Sequence, residues 1–133
     1  MITQEIMAFL EQVILFAPGT KARYSVVFGY KGTGKNRDLE LFDSIPTSDT
    51  PFVIAETGFI KAISFGAKVS TNATFSVLIN DVVVETLSAG GLQKANKKNL
   101  LIPVAELDEI RVSVDNNNVR DPVFNIFIQT TAA

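Results

Sequence analysis

The chain has 133 residues and a mass of 14.5 kDa, with 47% hydrophobic and 20% charged residues, twelve Lys and Arg against fourteen Asp and Glu. This composition excludes a disordered chain, and a net charge of −2 leaves no electrostatic footprint for nucleic acid. Cysteine and histidine are both absent, which removes disulfides, thiolate nucleophiles, cysteine–zinc sites, the commonest general base and the commonest metal ligand.

A chain of this size is expected to form one domain around a single core. The inventory points away from catalysis, and no cofactor, metal or catalytic residue is expected. Met1 to Phe16 carries Glu5 and Glu11, has no basic leader and no small-residue cleavage site, so no secretion signal is expected. The longest apolar run there, Val13 to Ala17, is far short of the roughly 20 residues of a membrane span. The expectation is a soluble protein made in the cytoplasm, with no membrane or nucleic-acid partner.

The first segment has helical periodicity. Ile2, Ile6, Phe9, Leu10 and Val13 recur at spacings of three and four, Thr3 can cap the start, and Pro18-Gly19 ends the run. The pattern predicts a helix from about Gln4 to Leu15 within an N-terminal segment, 1–18, ahead of a β domain, 19–133. Two uses for the apolar stripe stay open: packing on its own domain, or docking a neighbouring subunit or larger assembly.

From Thr20 onward the period is near two. Ala22, Tyr24, Val26, Phe28 and Tyr30 alternate with Arg23, Ser25, Val27 and Gly29, as in a strand with one buried face. A Gly- and Lys-rich loop, Lys31 to Asn36, leads to a strand from Arg37 to Phe42, a polar turn region from Asp43 to Thr50, and a run from Phe52 to Glu56. In the next strand, Phe59 to Ala67, the residues Phe59, Lys61, Ile63, Phe65 and Ala67 share a face. A turn at Ser70-Thr71-Asn72 precedes Ala73 to Ile79, and Asn80-Asp81 reads as a tight hairpin turn back into Val82 to Leu87. Ser88 to Asn99 reads as a loop. Strands follow at Leu100 to Val104, Glu109 to Asp115 and Val123 to Gln129, with a polar turn at Asp115 to Asn118.

Eight or nine short strands after one helix, with no helices between strands, predict a mainly β fold. An antiparallel two-sheet β-sandwich is expected, a jelly roll ahead of an immunoglobulin-like arrangement, whose Cys and Trp hallmarks are missing. Alternation places Val26, Phe28, Phe65, Phe75, Val77, Ile79, Ile110, Val112, Val114, Phe124, Ile126 and Ile128 in the core, and the ten Phe residues read as core. Some strands are apolar on both faces: Val123 and Phe127 lie opposite Ile126 and Ile128, and Val82, Val83 and Val84 are consecutive.

Gly29 to Asn36 reads G-x-x-x-x-G-K-N after a strand. A phosphate-binding loop needs Ser or Thr where Asn36 stands, to hold magnesium, and a helix directly afterwards. Neither is present in the sequence, so a solvated loop is expected. Asp115 to Asn118 with Asp121 offers oxygen ligands of the kind calcium takes, but lacks the Gly and terminal Glu of an EF-hand and reads as a turn. Lys94, Lys97 and Lys98 read as a solvated face, and Asn72-Ala73-Thr74 matches a glycosylation sequon without a secretory context. Carbohydrate-binding platforms are typically aromatic, whereas Trp is absent and Tyr24 and Tyr30 fall on the inward face.

From Thr57 onward the pattern resembles the jelly-roll domains of the tumour-necrosis-factor and complement type, with their phage and bacterial relatives such as the C-terminal domains of collagen-like spore-surface proteins. Phe75 to Val84 is similar to that family's strand, Asn-Gly turn, strand unit, with Asp81 in place of the Gly. Leu107 to Val114 is similar to its Gly-Asp-x-Ile/Val-x-Val segment, with Leu107 in place of the Gly. The resemblance implies homotrimeric assembly and a part in a surface structure. Phages use such jelly rolls as capsid decoration proteins, spikes and fibre heads. The expectation is therefore a non-enzymatic virion structural protein with capsid or fibre proteins as partners. A carbohydrate- or receptor-binding module, for instance at a fibre tip, is the alternative.

Overall fold

A computed structural model describes residues 22–41, 45–46 and 51–131. The strands among them are β1 (Arg23–Gly29), β2 (Thr33–Gly34), β3 (Arg37–Asp38), β4 (Glu40–Leu41), β5 (Ile45–Pro46), β6 (Phe52–Val53) and β7 (Gly58–Thr71). They continue with β8 (Thr74–Ile79), β9 (Val82–Ser88), β10 (Leu92–Lys97), β11 (Ile102–Val104), β12 (Glu109–Val114), β13 (Val119–Arg120) and β14 (Val123–Thr130). No helix occurs among the described residues. The expected helix carrying Ile2, Ile6, Phe9, Leu10 and Val13 lies outside them.

The protein is mainly β, and every strand pair is antiparallel. The larger sheet runs β10-β7-β14-β1-β4-β5, with β11 also on β7. The smaller runs β3-β12-β8-β9, with β6 also on β12, and β2 pairs β13 separately. One apolar core draws on both sheets, because alternation turns every second side chain of β1, β7, β8, β12 and β14 inward. All of the core residues expected from the sequence are buried, from Val26 and Phe28 through Phe124, Ile126 and Ile128. The Phe75 ring, from the smaller sheet, sits 4.9 Å from Phe65 and 5.3 Å from Phe124, both in the larger, in tilted contacts.

The hairpin expected at Asn80-Asp81 is present. Both residues take positive φ, 50° and 67°, the geometry of a type I′ turn without glycine. The Asn80 side chain is held as well: its amide donates to Asp108 Oδ1 at 2.9 Å, and its Oδ1 accepts from the Glu109 backbone N–H at 3.0 Å.

Several boundaries differ from the sequence reading. The strand expected from Arg37 to Phe42 is two strands in different sheets: β3 pairs β12, and β4 pairs β1. Leu39 lies between them, fully buried, with its N–H donating to Val112 O at 2.8 Å. The chain thus passes from one sheet to the other at that residue. The loop expected from Ser88 to Asn99 contains β10, which lies along β7. Only Ala95 of β10 is even half-buried, so an inward-facing alternation was never available to reveal it. The turn expected at Ser70 to Asn72 begins later, since β7 continues through Thr71.

The face expected for Phe59 to Ala67 also needs correction. Phe127 pairs Ala62, but Ile128 pairs Ile60, so Lys61 has no partner on β14. This bulge flips the register: Ile63 and Phe65 point inward, then Ile60 does, and Phe59 turns outward. Gly58 follows, at a position where a Cβ would lie 2.8 Å from the Thr130 Cα, so the close approach of β7 and β14 needs glycine there.

Phe75→Ala is expected to destabilise the protein by about 3–5 kcal/mol, because it empties the contact between the sheets. Urea unfolding checks this, and an unchanged midpoint would contradict the register.

Candidate functional site

The same register decides which side chains share the outer face of the larger sheet. Opposite the buried Val26, Phe28, Ile63, Phe65, Phe124, Ile126 and Ile128 stand the intervening residues, in rows across the strands. One row is Lys94, Gly66, Val123, Gly29 and Glu40; the next is Asn96, Ser64, Asn125 and Val27. Ala62, Phe127 and Ser25 form a third, and Pro103, Phe59, Gln129 and Arg23 a fourth. Lys94, Glu40 and Arg23 carry the charge in these rows, with Glu40 pairing onward to Pro46 of the edge strand β5, and Lys61, bulged between Ile60 and Ala62, adds a half-buried charge to the same face. The interior is Phe59, Ala62, Val27, Val123 and Phe127 with small or amide side chains between them. Phe127 is 39% exposed, so the expectation that every Phe serves the core fails there.

The outer face of the smaller sheet carries an ion-pair cluster. Arg111 of β12 pairs with Asp38 of β3, and its Nη2 lies 2.7 Å from Asp81 Oδ1 of the hairpin. Partial burial opposes the Arg111 charge, but the hydrogen bond and attraction from Asp38, then Asp81, outweigh it and raise the pKa. Ser76, Ser113, Glu109 and Thr86 share this face with Leu78 and with the exposed Val53 and Val83. Sequence reasoning missed this cluster, because its members come from three separated segments and show no pattern in the chain.

A third ion pair ties the two sheets where β9 and β10 meet. Lys97 Nζ of β10 lies 3.0 Å from Glu85 Oε1 of β9 and donates to Thr86 O at 3.2 Å. The Lys97 hydrogen bond outweighs burial and lowers the Glu85 pKa. Of the three lysines expected to form a solvated face, Lys94 and Lys98 are exposed, and Lys97 is exposed but engaged.

At the β1 end of the outer face, a cleft of about 450 Å³ is lined by Gly29, Tyr30, Lys31, Glu40, Leu41, Asp121, Pro122 and Val123. Asp121 takes a positive φ of 46°, held by a reciprocal pair of bonds: Gly32 N donates to its Oδ1 at 2.7 Å, and its own N donates to Gly32 O at 2.8 Å. The Arg37 guanidinium stacks 3.8 Å from the centre of the Tyr30 ring. Tyr30 and Tyr24 both pack half-buried against the core, as expected. Burial, and then Glu56, raises the Tyr24 pKa. An Asp-Pro step at Asp121-Pro122 was the available sequence signal for this corner.

The segment Gly29 to Asn36 spends its backbone donors inside the protein. Tyr30 N donates to Pro122 O at 3.1 Å, Gly32 N goes to Asp121, and Asn36 N donates to Asp115 O at 2.8 Å. Thr33-Gly34 pairs Val119-Arg120, and the strand β3 follows. The Asp115 carboxylate is likewise used locally, accepting from the Asn117 N–H at 3.0 Å and from its side-chain amide at 3.1 Å. Asn118 O accepts from Thr71 Oγ1 at 2.6 Å. Among the described residues, no three Asp or Glu side chains gather as a metal site. No helix among them is long and apolar enough to cross a membrane. Asn72 of the sequon is exposed.

Comparison with models of known protein families and with curated protein sequences finds no match.

Titration with ATP and magnesium by calorimetry is expected to give no saturable heat, since the donors that would cradle phosphates are bonded to Asp121, Pro122 and Asp115. A micromolar isotherm lost in Lys35→Ala would contradict this. Glu85 has a lowered folded-state pKa, so it contributes stability above its unfolded value of 4.5 that is lost as pH falls through the folded value. The thermal midpoint is therefore expected to drop below that pH, and to drop less in Lys97→Ala. Equal drops in the two proteins would contradict the pair.

Proposed function

We propose that this chain is a non-enzymatic virion structural protein, a jelly-roll β-sandwich that assembles as a homotrimer, serving as a phage capsid decoration or spike component. The observation that carries the reading is the outer face of the larger sheet, where the exposed Phe127 stands among Val123, Val27, Ala62 and Phe59, with Lys61 beside Ala62. A patch of that kind marks an interaction surface, and a closed cyclic assembly buries it without leaving contacts that propagate.

The path of the chain supports the jelly roll. It runs from the larger sheet at β7 to the smaller at β8 and β9, back to the larger at β10 and β11, then to β12 and finally to β14. The two substituted glycine positions support the resemblance to tumour-necrosis-factor-type domains. Asp81 and Leu107 both hold glycine-like positive φ, 67° and 73°. The partners on this reading are other copies of the chain and capsid or fibre proteins, and the protein is carried in the virion after synthesis in the host cytoplasm. The cleft beside Tyr30 favours a second reading, a carbohydrate- or receptor-binding module; glycan binding lost in Tyr30→Ala would promote it.

Light scattering coupled to size exclusion is expected to give a mass near three times 14.5 kDa at micromolar concentration, falling to one chain in Phe127→Glu. A wild-type mass near 14.5 kDa would contradict the trimer, and a stable dimer would point to another sandwich family.

A further inference from the structure

We propose that the cleft beside Tyr30 is a binding site for a neutral pyranose sugar, with the Glu40 carboxylate accepting hydrogen bonds from its hydroxyl groups, an inference that rests on the second reading above.

Strand pairing builds the cleft. Val123 of β14, Gly29 of β1 and Glu40 of β4 stand side by side on the outer face. The middle position has no side chain, so it forms a floor between two walls. A Cβ at Gly29 would fill that floor and lie 3.2 Å from the Pro122 carbonyl oxygen. The corner around it is fixed by the bonds from Tyr30 N to Pro122 O and between Gly32 and Asp121, while Arg37 stacks on the Tyr30 ring. A site held in this way needs little ordering when a ligand enters. Its volume of about 450 Å³ falls in the range of roughly 300–1,000 Å³ that small-molecule sites occupy.

The charges in the cleft decide the class of ligand. Glu40 and Asp121 supply carboxylates and Lys31 an ammonium group. Among the described residues neither Glu40 nor Lys31 enters an ion pair, so their hydrogen-bonding capacity is unspent within the chain. An anion would face two carboxylates, and a cation would share the cleft with Lys31. A zwitterion matches both signs, but Lys31 is exposed, and a charge pair in that setting gains little. A sugar hydroxyl both donates and accepts, so one ring can meet the carboxylates and the ammonium group together. Leu41, Pro122 and Val123 add apolar surface for the C–H face of the ring. All of these groups come from one chain, so the site is complete in a single copy.

Amide chemical shifts of the nitrogen-15-labelled full chain test this. The probes are the methyl α-glycosides of glucose, galactose and mannose, with alanine as a zwitterion and inorganic phosphate as an anion. At least one glycoside is expected to move the Gly29, Lys31 and Asp121 amides saturably, in the millimolar range. Glu40→Gln keeps the shape and removes the charge, and is expected to weaken that glycoside by about tenfold. Lys94→Gln, on the far edge strand of the same sheet, is expected to leave binding unchanged, and the remaining amide shifts of both variants check the fold. Sugar-induced shifts centred elsewhere, or undiminished in Glu40→Gln, overturn this site and leave the carbohydrate-binding reading standing. A response of the cleft to alanine or phosphate but to no glycoside overturns the sugar as its ligand. No response to any probe overturns the site and that reading together.

Discussion

Phe75 of the smaller sheet packs against Phe65 and Phe124 of the larger one, and that contact decides how the strands beside it must face. Once Phe65 and Phe124 point inward, alternation along β7 and β14 sends Ser64, Gly66, Val123 and Asn125 outward. The pairing of β14 with β1 extends the same order to Ser25, Val27 and Gly29. The outer rows are therefore a consequence of the core. The bulge at Lys61 is the one place on β7 where the order is re-aimed against β14, and it puts Phe59 outside and Ile60 inside.

The long strands were legible because burial on one face writes itself into the chain as alternation. Phe75, Val77 and Ile79 with Ile110, Val112 and Val114 could be assigned from that pattern alone. What escaped reading has a common physical cause: elements too short or too exposed to carry a period. Leu39 is buried because the chain changes sheets there, and Val119 because a two-residue strand covers it; neither has an alternating neighbour. β10 is an edge strand with nothing fully buried, so its residues look like a polar loop. The bulge at Lys61 depends on β14, where Ala62 meets Phe127, 65 residues later in the chain (127 − 62), and no local pattern encodes it. The apolar second face was visible in Val123 and Phe127. The row that joins Lys94 to Glu40 across five strands arises only through strand pairing.

The two sheets differ in how their outer faces meet their surroundings. Arg111, held between Asp38 and Asp81, puts an ion-pair cluster on the smaller sheet beside Leu78 and the exposed Val53 and Val83. The larger sheet leaves Phe127 exposed among the half-buried Ala62, Val27 and Val123, with Lys61 beside them. Loops rich in Asn, Gly and Lys gather at one end of the domain, where Asn36, Asn72, Gly91 and Asn116 are linked through Asp115, Thr71 and Ala73. The described chain begins and ends at the other end, where Ala22 and Thr130 exchange hydrogen bonds and Thr131 bonds to Thr57.

The central claim, that the outer face of the larger sheet is covered by other copies, can be read from the reactivity of a single thiol, because the chain has no cysteine of its own. Asn125→Cys puts one thiol at the centre of that face, and Ser76→Cys puts one at a comparably half-buried position on the outer face of the smaller sheet. At micromolar protein, the account expects the Asn125→Cys thiol to react with a soluble thiol reagent many times more slowly than the Ser76→Cys thiol, and the difference to vanish on dilution. Equal rates at every concentration would contradict it.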